Sequence, residues 1–133
     1  PKRRKCRPYL PEIAVGTGKR MERDNNYPAI EPSRSEIDAI EKPFVIEFGA
    51  PWCGHCMAAQ PLIASALAGH PGIRHISIED GPGRRLGRSF RVKLWPTLIF
   101  MRQGQEVERL VRPTEASAIE QALARIAQGA ERP

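Results

Sequence analysis

The 133 residues, 41% of them hydrophobic, predict one soluble globular domain with a single modest core. No run approaches the ~18 apolar residues of a membrane-spanning helix, so no membrane association is expected. The formal net charge of +6 lies in residues 1–20, where seven Lys or Arg oppose Glu12, whereas the remainder has 14 residues of each sign and offers no basic face for nucleic acid.

Cysteine usage gives an expectation about the compartment. Three cysteines do not suggest a secreted disulfide scaffold. Nothing before Phe44 contains the apolar stretch of about 7–15 residues that a signal peptide needs. A cytoplasmic protein is therefore expected, although a mature periplasmic chain whose signal had been removed would look the same.

The first 32 residues combine five prolines with several charges and no periodic apolar pattern, which predicts a flexible basic extension, in part of artificial origin. A globular domain is expected over 33–129 and a short tail over 130–133. The basic run at 1–5 and Cys6 are interpreted as a solvated tail and an exposed free thiol. A targeting or polyanion-binding cluster and a regulatory disulfide are the alternatives.

The domain is predicted to open with a short helix that runs to about Glu41, capped by Ser33 or Ser35, with Glu36 available for a capping box. The nearly continuous apolar run at 44–48 then predicts a central strand. Glu47 breaks this run, and an outward-facing carboxylate on an edge strand is one alternative to a functional role for it.

Two cysteines follow this strand where a new helix begins. The free N–H groups and the dipole at a helix start favour the thiolate of Cys53, so Cys53 is expected to be the attacking cysteine. Its sulfur is also expected to be exposed. Cys56 lies one turn later on the same face and can close a disulfide with it. Gly54 keeps the turn open, and a protonated His55 would further favour a thiolate. The segment predicts a thiol redox centre.

The rest of the chain alternates strands and helices. The helix from Cys53 is expected to end near Leu67, before Gly69. A strand over 73–78 carries His75, interpreted as a solvated histidine, and one short helix follows within 81–90. Two strands, 97–101 and 107–111, meet across a hairpin with Gly104 at positive φ. A last helix begins at 113–115, presents the stripe Ile119, Leu123 and Ile126, and ends over 128–130.

The string Ala-Pro-Trp-Cys-Gly-His-Cys at 50–56 resembles the active-site segment of the thioredoxin superfamily, and in particular that of protein disulfide isomerase domains. Pro61, residues 95–97, Gly104 and the last helix lie at matching places, so the resemblance covers roughly 34–128. It implies an α/β, thioredoxin-like fold with a central mixed sheet of about four strands flanked by helices. The first strand of the family, around 27–30, would be short or absent because of Pro28.

The resemblance also implies catalytic roles. Cys53 would attack a disulfide and Cys56 would resolve the mixed disulfide. Glu47 would be a buried acid behind the pair that exchanges a proton with Cys56. As the alternative to a solvated histidine, the resemblance would put His75 near a lysine position of the family, close to this acid. Trp52, Gly54 and His55 would tune the redox properties of the pair.

On the substrate side, the resemblance implies a cis Pro96 packed against the cysteines, which leaves the backbone of Trp95 free to pair with an extended substrate. Three residues depart from the family. Gly49 replaces an aromatic residue and is expected to open the pocket above the cysteines, Trp95 replaces a small or β-branched residue, and Arg112 replaces a glycine. Trp95, Pro96 and Arg112 thus form a substrate-binding surface unlike that of a thioredoxin, and recognition by a thioredoxin reductase is not implied.

The predicted function is a thiol–disulfide oxidoreductase that acts on protein disulfides or dithiols as a monomer. It would need no cofactor beyond its own disulfide and no metal, and it would draw electrons from an upstream reductase or glutathione. The direction of electron flow stays open. One alternative is a binding or redox-sensing protein of the same fold. Another is a metal module, which would need two ligands besides the cysteine pair from Cys6, His55, His70 and His75.

Overall fold

A computed structural model of the protein describes residues 27–131, with side chains to residue 127. Features predicted for residues 1–26, including Cys6 and the basic run, lie outside this part. Four helices and four strands form the described chain: α1 (Arg34–Asp38), β1 (Phe44–Gly49), α2 (Gly54–Ala68), β2 (Arg74–Glu79), α3 (Leu86–Ser89), β3 (Thr97–Arg102), β4 (Gln105–Val111) and α4 (Ala116–Glu131). None of the described helices is long and apolar enough to cross a membrane.

The strands form one mixed sheet in the order β2-β1-β3-β4. β1 pairs parallel with β2 and antiparallel with β3, and β3 pairs antiparallel with β4. Within the described chain no strand is formed over 27–30. The predicted thioredoxin-like sheet of about four strands is therefore confirmed, with the first strand of the family absent from this part.

Each face of the sheet carries a separate apolar cluster, because successive side chains of a strand point to opposite faces. Val45, Leu98 and Phe100 pack with α2 and α4 on one face. Residues on the other face pack with α1 and α3 and include Phe44, Ile46, Phe48, Ile99 and Met101. Since β1 lies between β2 and β3 and Glu47 shares the face of Val45, this carboxyl points towards α2. The interpretation of Glu47 as a residue of an edge strand is wrong.

The ends of the first and last helices differ from the predicted ones. Ser33 forms the predicted capping box with Glu36, but α1 ends at Asp38 rather than near Glu41. After Asp38 the backbone bonds to the β3–β4 hairpin instead, since the Gln103 N–H donates to the Glu41 carbonyl at 3.3 Å. At the other terminus, α4 continues to Glu131, through residues 128–130 that were predicted to end it, because a glycine inside a helix costs only about 1 kcal/mol.

The hairpin between β3 and β4 places Gly104 at φ +76°, where a Cβ would lie 2.8 Å from the carbonyl oxygen of Asp38. We expect Gly104→Ala to lower the free energy of unfolding by about 2 kcal/mol, since left-handed backbone costs a residue with a Cβ roughly 1–2 kcal/mol before any clash. Gly72→Ala is the control, because a Cβ there meets nothing within 4 Å. Urea unfolding of both variants measures the difference, and equal losses would contradict the explanation.

Candidate active site

The turn from β1 into α2 brings both cysteines to one place. The Cys53 N–H donates to the Ala50 carbonyl at 3.1 Å, which closes the turn. Cys53 is the N-cap of α2, and its sulfur accepts a hydrogen bond from the Cys56 N–H at 3.1 Å. An N-cap acceptor satisfies one of the free N–H groups of a helix start. The structure therefore places the Cys53 sulfur where the backbone stabilises negative charge.

Both thiols are free and buried, and Cys53 is only 6% exposed against 2% for Cys56. The expectation of an exposed Cys53 is wrong. Ala50, the partly buried Trp95 and the two cysteines pack together in a small cluster. The Trp95 ring meets that of Trp52 edge-on, with centroids 5.3 Å apart, and Trp52 itself is 73% exposed. Access to Cys53 thus runs beside two tryptophan rings.

The surroundings of Cys56 hold its thiol in the protonated form. Burial raises the pKa of Cys56 to about 12, helped by the hydrogen bond and the charge of Cys53 and by the charge of Glu47. A thiol with so high a pKa stays protonated near neutral pH. The thiolate is the nucleophilic form of cysteine, so Cys56 is a poor nucleophile until something removes its proton.

The raised pKa of Cys56 predicts how its alkylation by iodoacetamide depends on pH. Near pH 7.5 Cys56 is expected to carry almost no label, and its labelling rate is expected to rise about tenfold per pH unit up to pH 10, because the ionised fraction grows towards a pKa of about 12. Mass spectrometry of the labelled peptides measures each site. Unfolding in guanidinium is the control and should restore ordinary labelling of Cys56. Rapid labelling of Cys56 in the folded protein at pH 7.5 would contradict the prediction.

Glu47 lies behind the cysteines and is 1% exposed. Its Oε1 lies 2.8 Å from His75 Nε2, and its Oε2 accepts a hydrogen bond from Gln60 Nε2 at 2.6 Å. The same Gln60 nitrogen donates to the Cys56 carbonyl at 3.0 Å. The His75 side chain remains 24% exposed, so this chain of contacts joins the buried acid to solvent.

From the sequence, His75 was interpreted wrongly and Gln60 was not included. The solvated interpretation of His75 is wrong, because β2 runs parallel to β1 with His75 opposite Val45, on the face of Glu47. Gln60 is not among the predicted site residues. Its spacing of four from Cys56 on one helix face was the available signal.

The space beside Gly49 is filled, contrary to the expected open pocket. A Cβ at Gly49 would lie 2.6 Å from Cys56 Sγ and 3.1 Å from the Tyr27 hydroxyl oxygen. The absence of this Cβ therefore lets both groups approach the end of β1. Burial raises the pKa of the Tyr27 phenol, and the charges of Glu47 and both cysteines act in the same direction.

The predicted substrate side is formed by the loop before β3. The Trp95–Pro96 peptide bond is cis, and the indole Nε1 of Trp95 donates to Asp80 Oδ2 at 3.0 Å. A Cβ at Gly87 would collide with this Asp80 carboxylate, so the absence of a side chain at Gly87 leaves room for the carboxylate. Arg112 Nε donates to the Trp95 carbonyl at 2.8 Å, which means that this part of the backbone is already hydrogen-bonded in the free protein. The other predicted tuning residues, Gly54 and His55, lie exposed in the first turn of α2.

Within residues 27–131, no group of three or more His, Cys, Asp or Glu side chains is arranged to hold a metal ion.

Comparisons with known proteins agree on one family. The family model described as Thioredoxin matches residues 31–125. A solved structure of thioredoxin 2 from Pseudomonas aeruginosa, in its reduced form, superposes with a TM-score of 0.70 and 52% identity and covers 77% of this chain and 95% of that one. Human protein disulfide-isomerase A2 is 38% identical over 87 residues, and thioredoxin-1 of Caenorhabditis elegans is 34% identical over 70. These matches cover 61% and 53% of this chain, and span 17% and 61% of the respective relatives.

Proposed function

We propose a function for this chain, which belongs to the thioredoxin family. It is a thiol–disulfide oxidoreductase that acts on protein substrates through a reversible Cys53–Cys56 disulfide. One observation carries the proposal: the Cys53 sulfur accepts the Cys56 N–H at the start of α2, while a buried acid lies behind the pair. This arrangement supplies a nucleophile and a resolving thiol within one turn of α2, and a base on the neighbouring strand β1.

The reaction runs in two exchanges. The Cys53 thiolate attacks one sulfur of a substrate disulfide, forms a mixed disulfide, and the second substrate sulfur leaves as a thiolate that takes up a proton. Cys56 then loses its proton and attacks the Cys53 sulfur, which releases the first substrate sulfur as a thiolate. Two electrons pass from the cysteine pair to the substrate. The same steps in reverse oxidise a substrate dithiol.

Glu47 is the base proposed for the second exchange. Cys56 needs one, because burial keeps its proton bound near neutral pH. Gln60 contacts both the Glu47 carboxylate and the Cys56 backbone and so fixes the acid relative to the resolving cysteine. His75, at the partly exposed end of the network, offers a route by which the proton reaches solvent.

The substrate is proposed to bind along the loop of Trp95 and Pro96, close to Arg112. An extended substrate strand would pair with the Trp95 backbone by competing with or sharing its bond to the Arg112 guanidinium. The electron source is proposed to be an upstream reductase or glutathione, with the disulfide of the chain as the only redox group.

The direction of electron flow depends on the reduction potential of the pair. Typical potentials of thioredoxin and protein disulfide isomerase differ by ~90 mV, which is roughly 4 kcal/mol for a two-electron couple. A protonated His55 would favour a neighbouring thiolate, and stabilising the reduced form makes the disulfide a stronger oxidant.

Equilibration with glutathione buffers tests the function. We expect a Cys6→Ser variant, in which the pair alone can react within the chain, to form the Cys53–Cys56 disulfide with a single midpoint. The reduced protein is expected to catalyse insulin reduction with dithiothreitol as electron source. The midpoint distinguishes a reductant from an oxidant. Absence of the disulfide at every glutathione ratio would overturn the proposal, and a disulfide without insulin reduction would favour a binding or sensing protein.

A further inference from the structure

Tyr27 brings a phenol to the resolving cysteine from outside the sheet and helices. It precedes α1, and its hydroxyl oxygen lies 3.1 Å from the point where a Cβ of Gly49 would be. Cys56 Sγ lies 2.6 Å from the same point. The oxygen and the sulfur are therefore no further apart than the sum of these two distances. The phenol therefore lies near the sulfur, at the place that a side chain at position 49 would occupy.

The chemistry of Cys56 creates a need for a donor at this place. When a thiol attacks the Cys53 sulfur of the disulfide, the Cys53–Cys56 bond breaks and Cys56 leaves with the electron pair. A leaving thiolate departs more slowly the higher the pKa of its thiol. Burial raises the pKa of Cys56 to about 12, so Cys56 is a poor leaving group without help.

Two polar side chains near the pair, those of Glu47 and Trp95, have hydrogen-bond partners elsewhere. The two carboxylate oxygens of Glu47 contact His75 and Gln60, and the indole N–H of Trp95 donates to Asp80. Tyr27, in contrast, is held in its neutral form, because burial and the negative charges of the site raise the pKa of its phenol. A neutral phenol keeps its O–H available for donation.

We propose that the Tyr27 hydroxyl donates a hydrogen bond to the Cys56 sulfur as the Cys53–Cys56 disulfide opens. The attacking thiolate forms a new bond to the Cys53 sulfur, the electron pair of the broken bond stays on Cys56, and the phenol stabilises this thiolate without giving up its proton. Cys56 takes a proton later, from Glu47 or from solvent through it. The inference rests on the proposed disulfide chemistry and assigns Tyr27 a direct contact with a reacting atom.

The test is the rate of reduction of the oxidised protein by dithiothreitol, followed by stopped-flow tryptophan fluorescence. Tyr27→Phe keeps the ring and removes the donor, and we expect it to lower the rate constant about tenfold, the effect of one hydrogen bond to a charged group. Tyr9→Phe, at the only other tyrosine, is the matched control and should leave the rate unchanged. Alkylation of Cys53 by iodoacetamide, which involves no leaving Cys56, should change less than twofold in Tyr27→Phe.

A second measurement covers the case in which Tyr27→Phe lowers the melting temperature. In the Tyr9→Phe background, global incorporation of 3-fluorotyrosine labels Tyr27 alone with a stronger hydrogen-bond donor, and reduction is expected to become faster. Wild-type reduction rates in both the Phe and the fluorinated protein would overturn the role of Tyr27. A pair that never forms a disulfide would instead overturn the proposed function, so the two failures are distinguishable.

Discussion

Cys53→Ser is expected to lower insulin reduction by more than about a thousandfold, because a hydroxyl cannot replace the thiolate as nucleophile in a two-exchange reaction. The serine side chain can still accept the Cys56 N–H that Cys53 accepts at 3.1 Å, so the start of α2 is expected to remain intact. Circular dichroism and the melting temperature check that the fold is retained. Turbidity from reduced insulin measures the activity.

Cys56→Ser provides the complementary result. The first exchange proceeds but the second cannot, so the variant is expected to accumulate mixed disulfides between Cys53 and substrate thiols. Non-reducing gels and mass spectrometry detect these species. The Cys6→Ser background excludes trapping at the third cysteine. Full activity in a variant with serine at both 53 and 56 would contradict the assignment of the pair.

The second large effect is expected at Glu47. Glu47→Gln keeps the volume and most of the hydrogen bonding of a side chain that is 1% exposed, but it removes the base. We expect release of the mixed disulfide to slow about a hundredfold near pH 7, the lower range for loss of a general base. The deficit is expected to shrink as pH rises, because Cys56 increasingly ionises unaided as pH approaches its pKa of about 12.

A single-turnover experiment with a labelled mixed disulfide on Cys53 measures this step. Glu47→Ala should show the same loss with an added loss of stability, because it leaves a cavity beside Gln60 and His75. Glu106→Gln is the control, since Glu106 is exposed and pairs with Arg109 away from the cysteines. Equal release rates for Glu47→Gln and the wild-type protein at pH 7 would make the carboxylate a bystander.

Local patterns in the sequence predicted most of the fold. Three of these patterns are the apolar run of β1, the capping box at Ser33 and the stripe on α4. Each depends only on residues close together in the sequence, so each can be recognised without the arrangement of the strands in the sheet. The helix start at Cys53 belongs to the same class. Its geometry depends on the turn from Ala50 and on the first turn of α2, both of which are close in sequence.

The errors concern contacts between distant parts of the chain. His75 contacts Glu47 from the neighbouring strand. This contact depends on the register between β1 and β2, and the sequence around the two residues does not show that register. Tyr27 reaches Gly49 across 22 positions, from a segment without helix or strand and therefore without a periodic signal. Gly49 was predicted to open the pocket above the cysteines, and the sequence alone did not show that Tyr27 would occupy this space.

The hydrogen bond between Arg112 and the Trp95 carbonyl also bears on the solubility of the free protein. An unpaired carbonyl beside exposed apolar groups such as Leu94 and Val111 invites a passing chain to add as an extra strand. The guanidinium donates a hydrogen bond to this carbonyl at 2.8 Å and keeps a positive charge beside it. We therefore expect Arg112 to disfavour strand addition between free molecules, and a substrate strand to displace or share this hydrogen bond when it binds.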